Sequence, residues 1–453
     1  MHEPRLSPAL LLSLLLVALL GSLPAPAAES PPGGAMDLDA CVREALRSSP
    51  LSKGASAGTA AAVEGAAAAG GALLPEVHLS LLSRRFESRA FLPSSLFAPT
   101  GPLGGISPVI GPMNQHAYTL HASYTLFDGG ERKARQAKAG ALAEGARAME
   151  GRTRADLVFE VYRAYYGLLR DREALAVAEG EVARCREHLR LAEELHRAGA
   201  VPLLDVLRAR VLAADAEVSK IRAEAEAEVA RGSLNTLLGR SPESPLEVVT
   251  RQREDGEEVL PSLEEALASA STHRPEVAEA ETGRRAALSR LTEARSAYFP
   301  AVRLEASAGR LDDRFFPRDH DWAVGVSLSL PLFTGFSRGH EARRASLELL
   351  QAGEVERGTV LAVRREAFEA FQRAEEARAA REAVGNLVRR AEESLRMARE
   401  RYAEGAGTAA DLLDAEANLR AALLQEVEAR FDFRIARAGL LRAAGCLLET
   451  AEE

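Results

Sequence analysis

Two periods alternate along this chain. Val182, Cys185, Leu189, Ala192 and Leu195 recur at spacings of three and four, as do Val384, Leu387, Ala391, Leu395, Ala398 and Tyr402. That spacing sets them on one stripe of a helix, with small residues that let a second helix approach, as in a coiled-coil seam. No proline interrupts Ala117 to Val201, and none follows Pro331. Both stretches can therefore support uninterrupted helices. A helix from about Gly130 to Arg197 would be roughly 100 Å long, a rod rather than a globular element. Elsewhere the period is two. Tyr118, Leu120, Ala122, Tyr124 and Leu126 alternate with Thr119, His121, Ser123 and Thr125. Trp322, Val324, Val326, Leu328 and Leu330 alternate with Ala323, Gly325, Ser327 and Ser329. One face is apolar and the other small or polar, as in a membrane-barrel strand of about ten residues. Glu76 to Arg85 and Ala301 to Arg310 are weaker partners. A half-buried soluble hairpin shares this alternation. The similar Pro or Phe-x-Gly junctions that join all four segments to helices favour the barrel strand.

The pattern occurs twice. Leu38 to Pro75 aligns without a gap on Leu263 to Pro300 at an offset of 225, and Phe127 to Gly239 aligns on Phe333 to Gly445 at an offset of 206. Phe127-Asp128-Gly129 meets Phe333-Thr334-Gly335, Gly199 meets Gly405, and Asp205 meets Asp411. The offsets differ by 19, so the first repeat carries 19 extra residues, placed in the Pro/Gly/Ser-rich stretch Phe91 to Gln115. That composition predicts a long loop. The organisation expected is an N-terminal leader at 1–27, a spacer at 28–37 and a first repeat at 38–240 with strands at about 75–90 and 117–127. A linker at 241–262, a second repeat at 263–446 with strands at about 300–310 and 321–332, and a tail at 447–453 complete it. Each unit reads helix, strand, loop, strand, very long helix, turn, helix.

The leader changes the compartment. Arg5, the apolar run Leu10 to Leu20 and Ala25-Pro26-Ala27 have the order of an export signal. The run is too short to span a membrane. Leu38-Asp39-Ala40-Cys41 resembles a lipidation box, but the polar spacer before it separates it from the apolar run, so lipidation is not expected. No later segment is apolar enough for a membrane helix, which leaves a closed β-barrel as the way into a bilayer. Four strands are too few for one, since the smallest membrane barrels have about eight. Several copies must then share one wall.

Composition narrows the functions. The 453 residues carry 57 basic and 66 acidic side chains, a net charge of −9, which disfavours nucleic acid as a partner. The three cysteines, Cys41, Cys185 and Cys446, show neither a disulfide framework nor metal spacing. No paired-His zinc motif, phosphate loop or nucleophile elbow is present, so no catalytic, metal or cofactor site is expected and the protein does not read as an enzyme. The rival to a shared membrane barrel is an exported periplasmic coiled-coil scaffold, which would come away without detergent and conduct no ions.

Leader, doubled helix-strand-strand-helix units and two Gly-containing helical turns followed by Asp resemble the TolC-like outer-membrane efflux family, from about Leu38 to Gly445. The resemblance implies an α+β membrane protein, a homotrimer with a twelve-stranded outer-membrane β-barrel and a long α-helical tunnel in the periplasm. It also implies a passive export channel, in contact with outer-membrane lipid, that serves a periplasmic adaptor and an inner-membrane pump of the RND or ABC type. The 19-residue excess becomes an extracellular loop and Ser241 to Pro261 part of a belt around the tunnel. Within Tyr402 to Asp414, Tyr402 matches the family's gating tyrosine, and Asp411 and Asp414 match its stacked acidic rings. Asp205 matches a position within reach of that tyrosine or an arginine. Asp411 can equally serve as a helix cap. The family's gating arginine is Gly407 here, which removes one salt bridge between protomers. The turns Gly199-Ala200 and Gly405-Ala406-Gly407-Thr408 are the expected adaptor contacts.

Overall fold

The structure, a computed structural model, describes residues 35–87, 112–249, 260–312, 315–404 and 406–448. The leader, most of the expected extracellular loop, part of the linker, Gly405 and most of the C-terminal tail lie outside the described residues. Eight helices and four strands are described: α1 (Leu38–Ser48), α2 (Pro50–Gly71), β1 (Glu76–Glu87), β2 (Pro112–Phe127), α3 (Glu131–Arg197), α4 (Leu203–Leu237), α5 (Leu263–His273), α6 (Pro275–Ser296), β3 (Ala301–Asp312), β4 (Asp319–Ser329), α7 (Ser337–Ala403) and α8 (Ala409–Ala444). No helix among them is long and apolar enough to cross a membrane.

α3 and α7 are the two rods, 67 residues each. Their strand-to-helix corners use one device in both repeats. Arg132 donates to the Asp128 carboxylate at 2.7 Å, to the Ala72 carbonyl at 3.2 Å and to the Thr125 carbonyl. Arg338 donates to Thr334 Oγ1 at 3.1 Å, to the Ala297 carbonyl at 3.1 Å and to the Pro331 carbonyl at 2.5 Å. One guanidinium thus ties a strand end, a rod and the end of the neighbouring helix. The residue before α3 is Gly130 at φ +88°, and before α7 it is Phe336 at φ +64°. Phe336 is the one non-glycine residue of positive φ among the described residues, at a cost of ~1–2 kcal/mol.

Near the barrel the helices lie in the order α2–α3–α6–α7, and toward the far end in the order α4–α3–α8–α7. Between these halves sits the main core. Leu38, Cys41 and Val42 of α1, Leu157, Val158, Val161 and Tyr165 of α3, Leu234 and Leu238 around the end of α4, and Phe431 of α8 are buried together. Linker residues Leu246 and Val248 close it, and Met36 pairs with Val248 as a parallel bridge. Tyr165 donates its hydroxyl to the Val249 carbonyl at 2.6 Å, which satisfies the polar tip of a fully buried ring. Cys41 is 0% exposed within this core, so its sulfur is packed where a lipid chain would have no room.

The strands form one antiparallel sheet in the order β1-β2-β3-β4. β2 begins at Pro112, inside the stretch read from composition as loop, and residues 112–116 pair with β1. Proline is tolerated as the first residue of a strand, and composition could not see the partner that extends it. Registers Leu79↔Leu120, Leu120↔Ala308 and Ala308↔Trp322 carry one apolar face across all four strands. His78, His121 and Ser307 line the opposite, polar face. Trp322 on the apolar face is 74% exposed, and Leu79, Val324, Val326 and Leu328 are exposed with it. In water such a face would be an aggregation site; against lipid it is solvated.

Candidate gate at the helical tips

Each rod ends in a turn built by the sequence. At the end of α3, Gly199 takes φ +75°, its N–H donates to the His196 carbonyl at 2.9 Å, and the Ala200 N–H reaches back to the Leu195 carbonyl at 2.9 Å. Glycine is placed where a left-handed residue closes a helix. At the end of α7, the Ala406 N–H donates to the Arg401 carbonyl at 2.8 Å, the same bond moved by 206 residues. Ala200, Ala406 and Thr408 are exposed on the tips. Gly405 lies outside the described residues.

Gly407 sits close against the end of α7. A Cβ there would stand 3.1 Å from Arg401 Cβ and 3.2 Å from the Tyr402 nitrogen, pressed onto the last turn of α7. Arg401 reaches the turn from inside its own helix, 3.4 Å from the Ala406 carbonyl.

Thr408 caps α8 and Asp411 completes the box. The Asp411 N–H donates to Thr408 Oγ1 at 3.1 Å, and the Thr408 N–H donates to the Asp411 carboxylate at 3.2 Å. The Thr408 hydroxyl and N–H hold the Asp411 carboxyl below the usual range, and Arg401 adds a smaller push. Asp411 and Asp414 are both exposed, one helical turn apart. The capping role assigned to Asp411 as its alternative is therefore present, and its exposed carboxylate is still a charge on the tip.

Tyr402 is 6% exposed and its buried hydroxyl has no hydrogen-bond partner among the described residues. The ring leans on His188 of α3, centroids 5.9 Å apart at 50°. Burial first, and then the Asp205 charge, push the Tyr402 phenol up. Burial and Arg399 push the His188 imidazole down, against a weaker pull from Asp205. Asp205 itself stands 3.8 Å from Arg208. Tyr402, His188 and Asp205 thus form one cluster joining α7, α3 and the start of α4.

A second buried polar group lies about two turns along α8 from the tip. Glu416 is 5% exposed and faces Glu181, Arg184 and Cys185 of α3 and Arg399 of α7. Burial, then Glu181, raise its carboxyl to about 7, against Arg399 at 3.9 Å and Arg184. Arg184 is spent on Glu181 at 2.8 Å. Cys185 Sγ donates weakly to Glu181 at 3.6 Å, and burial pushes its thiol up to about 12. Sequence reasoning missed His188, Glu181 and Glu416. The signal was there: Leu412, Ala415, Glu416 and Leu419 put an acid inside an apolar stripe. Among the described residues no three His, Cys, Asp or Glu side chains stand close enough to hold a metal.

The family profile described as outer membrane efflux protein matches residues 41–240 and 266–446, both repeats in full order. The chain belongs to the outer membrane efflux protein family. It is 28% identical over 340 residues to protein CyaE of Bordetella pertussis, covering 73% of this chain and 70% of that one. Over 392 residues it is 28% identical to the probable efflux pump outer membrane protein SepC of Pseudomonas putida, covering 83% and 76%. The fold is that of the outer membrane protein VceC of Vibrio cholerae, with a TM-score of 0.77 at 21% identity over 90% of this chain and 96% of that one. In a member of this family the exposed apolar sheet face lies in the outer membrane and the rods run through the periplasm.

Proposed function

We propose that three copies of this chain form a passive export duct, each contributing four strands to a twelve-stranded barrel and its helices to one periplasmic tunnel. The observation that carries this reading is the sheet. It has one continuous apolar face, one polar face and two unpaired edges, and only closure with other copies satisfies those edges in lipid. The energy for transport comes from outside the chain, through an inner-membrane pump and a periplasmic adaptor that meets the exposed turns Gly199-Ala200 and Ala406-Gly407-Thr408. In the trimer, Asp411 and Asp414 make an acidic constriction of six carboxylates. The cluster of Tyr402, His188 and Asp205 is the packed hinge that holds α7 and α8 against α3 and α4. An acidic ring draws cations and repels anions.

Three measurements test this. The native mass of the detergent-extracted mature protein should equal three chains plus micelle; a monomer released without detergent would end the duct reading. Asp411→Asn with Asp414→Asn should lower cation preference in planar-bilayer recordings, and unchanged selectivity would place the constriction elsewhere. Cysteines at Ala200 or Ala406 should cross-link to the adaptor.

A further inference from the structure

Two histidines meet on the polar face of the sheet. His78 of β1 and His121 of β2 are directly opposed in the register, and their rings stack with centroids 5.1 Å apart and planes at 21°. No other two histidine rings touch among the described residues. Neither ring makes a hydrogen bond among the described residues, so four ring nitrogens are left for a ligand. Histidine is the commonest protein ligand of transition metals.

The fold does not require the pair. Continuing the two repeat offsets, His78 corresponds to Arg303 and His121 to Ser327, and these are opposed in the same way on β3 and β4. A hairpin that forms equally well on an arginine and a serine gives no structural reason for two imidazoles.

The spacing suits one shared ion. Directly opposed residues of an antiparallel pair have their Cβ atoms roughly 5 Å apart. A tetrahedral zinc ion holds each imidazole nitrogen at about 2.0–2.1 Å, which sets two of them roughly 3.3 Å from each other. Two side chains anchored in this way span that gap once each ring turns edge-on to the ion. The turn is about the Cβ–Cγ bond, a broad torsion that no hydrogen bond fixes here. Imidazole selects zinc, nickel and copper over magnesium and calcium.

The surroundings suit a cation. The next row of the polar face, toward the helices, carries Glu76 and Glu305 on either side of Ser123. Two residues along a strand is roughly 7 Å, so both carboxylates lie close enough to attract a divalent ion and to accept bonds from its waters. Neither is in an ion pair among the described residues. Arg303 stands one row farther off, opposite Thr125. The remaining neighbours in the register, Ser80, Thr119 and Ser307, are neutral hydroxyls.

We infer that His78 and His121 form a binding site for one divalent transition-metal ion per copy, with water completing its shell. The site lies on the sheet of a single chain, so it goes beyond the duct reading and does not depend on it. His78 is the third residue of β1. In the duct, three such ions would therefore stand just inside the barrel, where the helical tunnel opens into it.

The test uses the untagged mature protein, extracted in mild detergent and stripped of metal by chelation. Calorimetric titration with zinc should give one equivalent per chain. That equivalent should be lost in His78→Asn and in His121→Asn at unchanged native mass, and kept in His340→Asn on the exposed start of α7. With copper(II) in place of zinc, electron paramagnetic resonance of the wild type should show two coordinated imidazole nitrogens. A lone surface histidine gives one. A single nitrogen, or a zinc equivalent that survives both histidine variants, would overturn the site. So would displacement of zinc by magnesium at equal concentration. A native trimer that binds no zinc would remove the site and leave the duct. A monomer that binds one zinc through both histidines would remove the duct and leave the site.

Discussion

The waist and the tips of this molecule are built from the same two rods, yet they differ in the titratable groups they bury. At the waist, Tyr165 is fully buried and its hydroxyl is bonded to the Val249 carbonyl, and Arg274 is buried against Glu276 at 2.6 Å and Glu366 at 2.8 Å. At the tips, the Tyr402 hydroxyl has no partner among the described residues, Glu416 is buried beside another acid, and burial pushes the His188 imidazole down. A buried group that is paired and bonded rigidifies its surroundings, whereas a buried polar group left unpaired costs stability. The contrast supports the proposal that the waist is the fixed point of the tunnel and the tips the part that opens.

The largest effect should come from breaking the waist. Tyr165→Ala removes a fully buried ring and its hydrogen bond, and a loss of about 3–5 kcal/mol is expected in denaturant unfolding of the extracted protein. An equally large loss from an exposed tip residue such as Asp414→Ala would erase the contrast.

Next comes Glu416. Its folded carboxyl titrates near 7, above its ordinary value of 4.5. The folded chain binds a proton that the unfolded chain has released, so the stability it gives is full below about 4.5 and is lost as pH rises through 7. Glu416→Gln should therefore stabilise at pH 8, on the order of 3 kcal/mol, and change little at pH 4. Thermal melts at the two pH values measure it, and equal shifts at both would mean that Glu416 is ionised at no cost.

Asp411→Ala removes one half of the capping box on α8. A smaller loss of stability than at Tyr165 is expected, with hydrogen exchange rising in the first turn of α8 and not at the waist. The smallest effect is at His188. Its folded pKa lies below the ordinary 6.5, so its contribution is full above 6.5 and is lost as pH falls toward the folded value. His188→Phe should flatten that acid limb of the stability curve, read from melts between pH 7 and pH 5.

How much of this was legible in the sequence follows from what each signal depends on. Periods of three-and-four and of two depend only on local geometry, so the rods and strands could be read residue by residue. The doubling, visible in Phe127-Asp128-Gly129 and Phe333-Thr334-Gly335, fixed the order of elements before any contact was known. Turn chemistry was equally local: Gly199 marks a helix reversal because few residues other than glycine tolerate its φ.

Three things were decided only by the tertiary structure. The start of β2 at Pro112 depends on β1 lying beside it, which loop-like composition conceals. The burial of Glu416 and His188 depends on which face of α8 and α3 meets a neighbour, and a charged letter in the sequence reads as solvated until that face is known. The meeting of His78 with His121 depends on the register of β1 against β2. Local pattern sets what each segment becomes; burial and register are set by segments far away in the chain, because desolvation depends on the neighbours that remove the water.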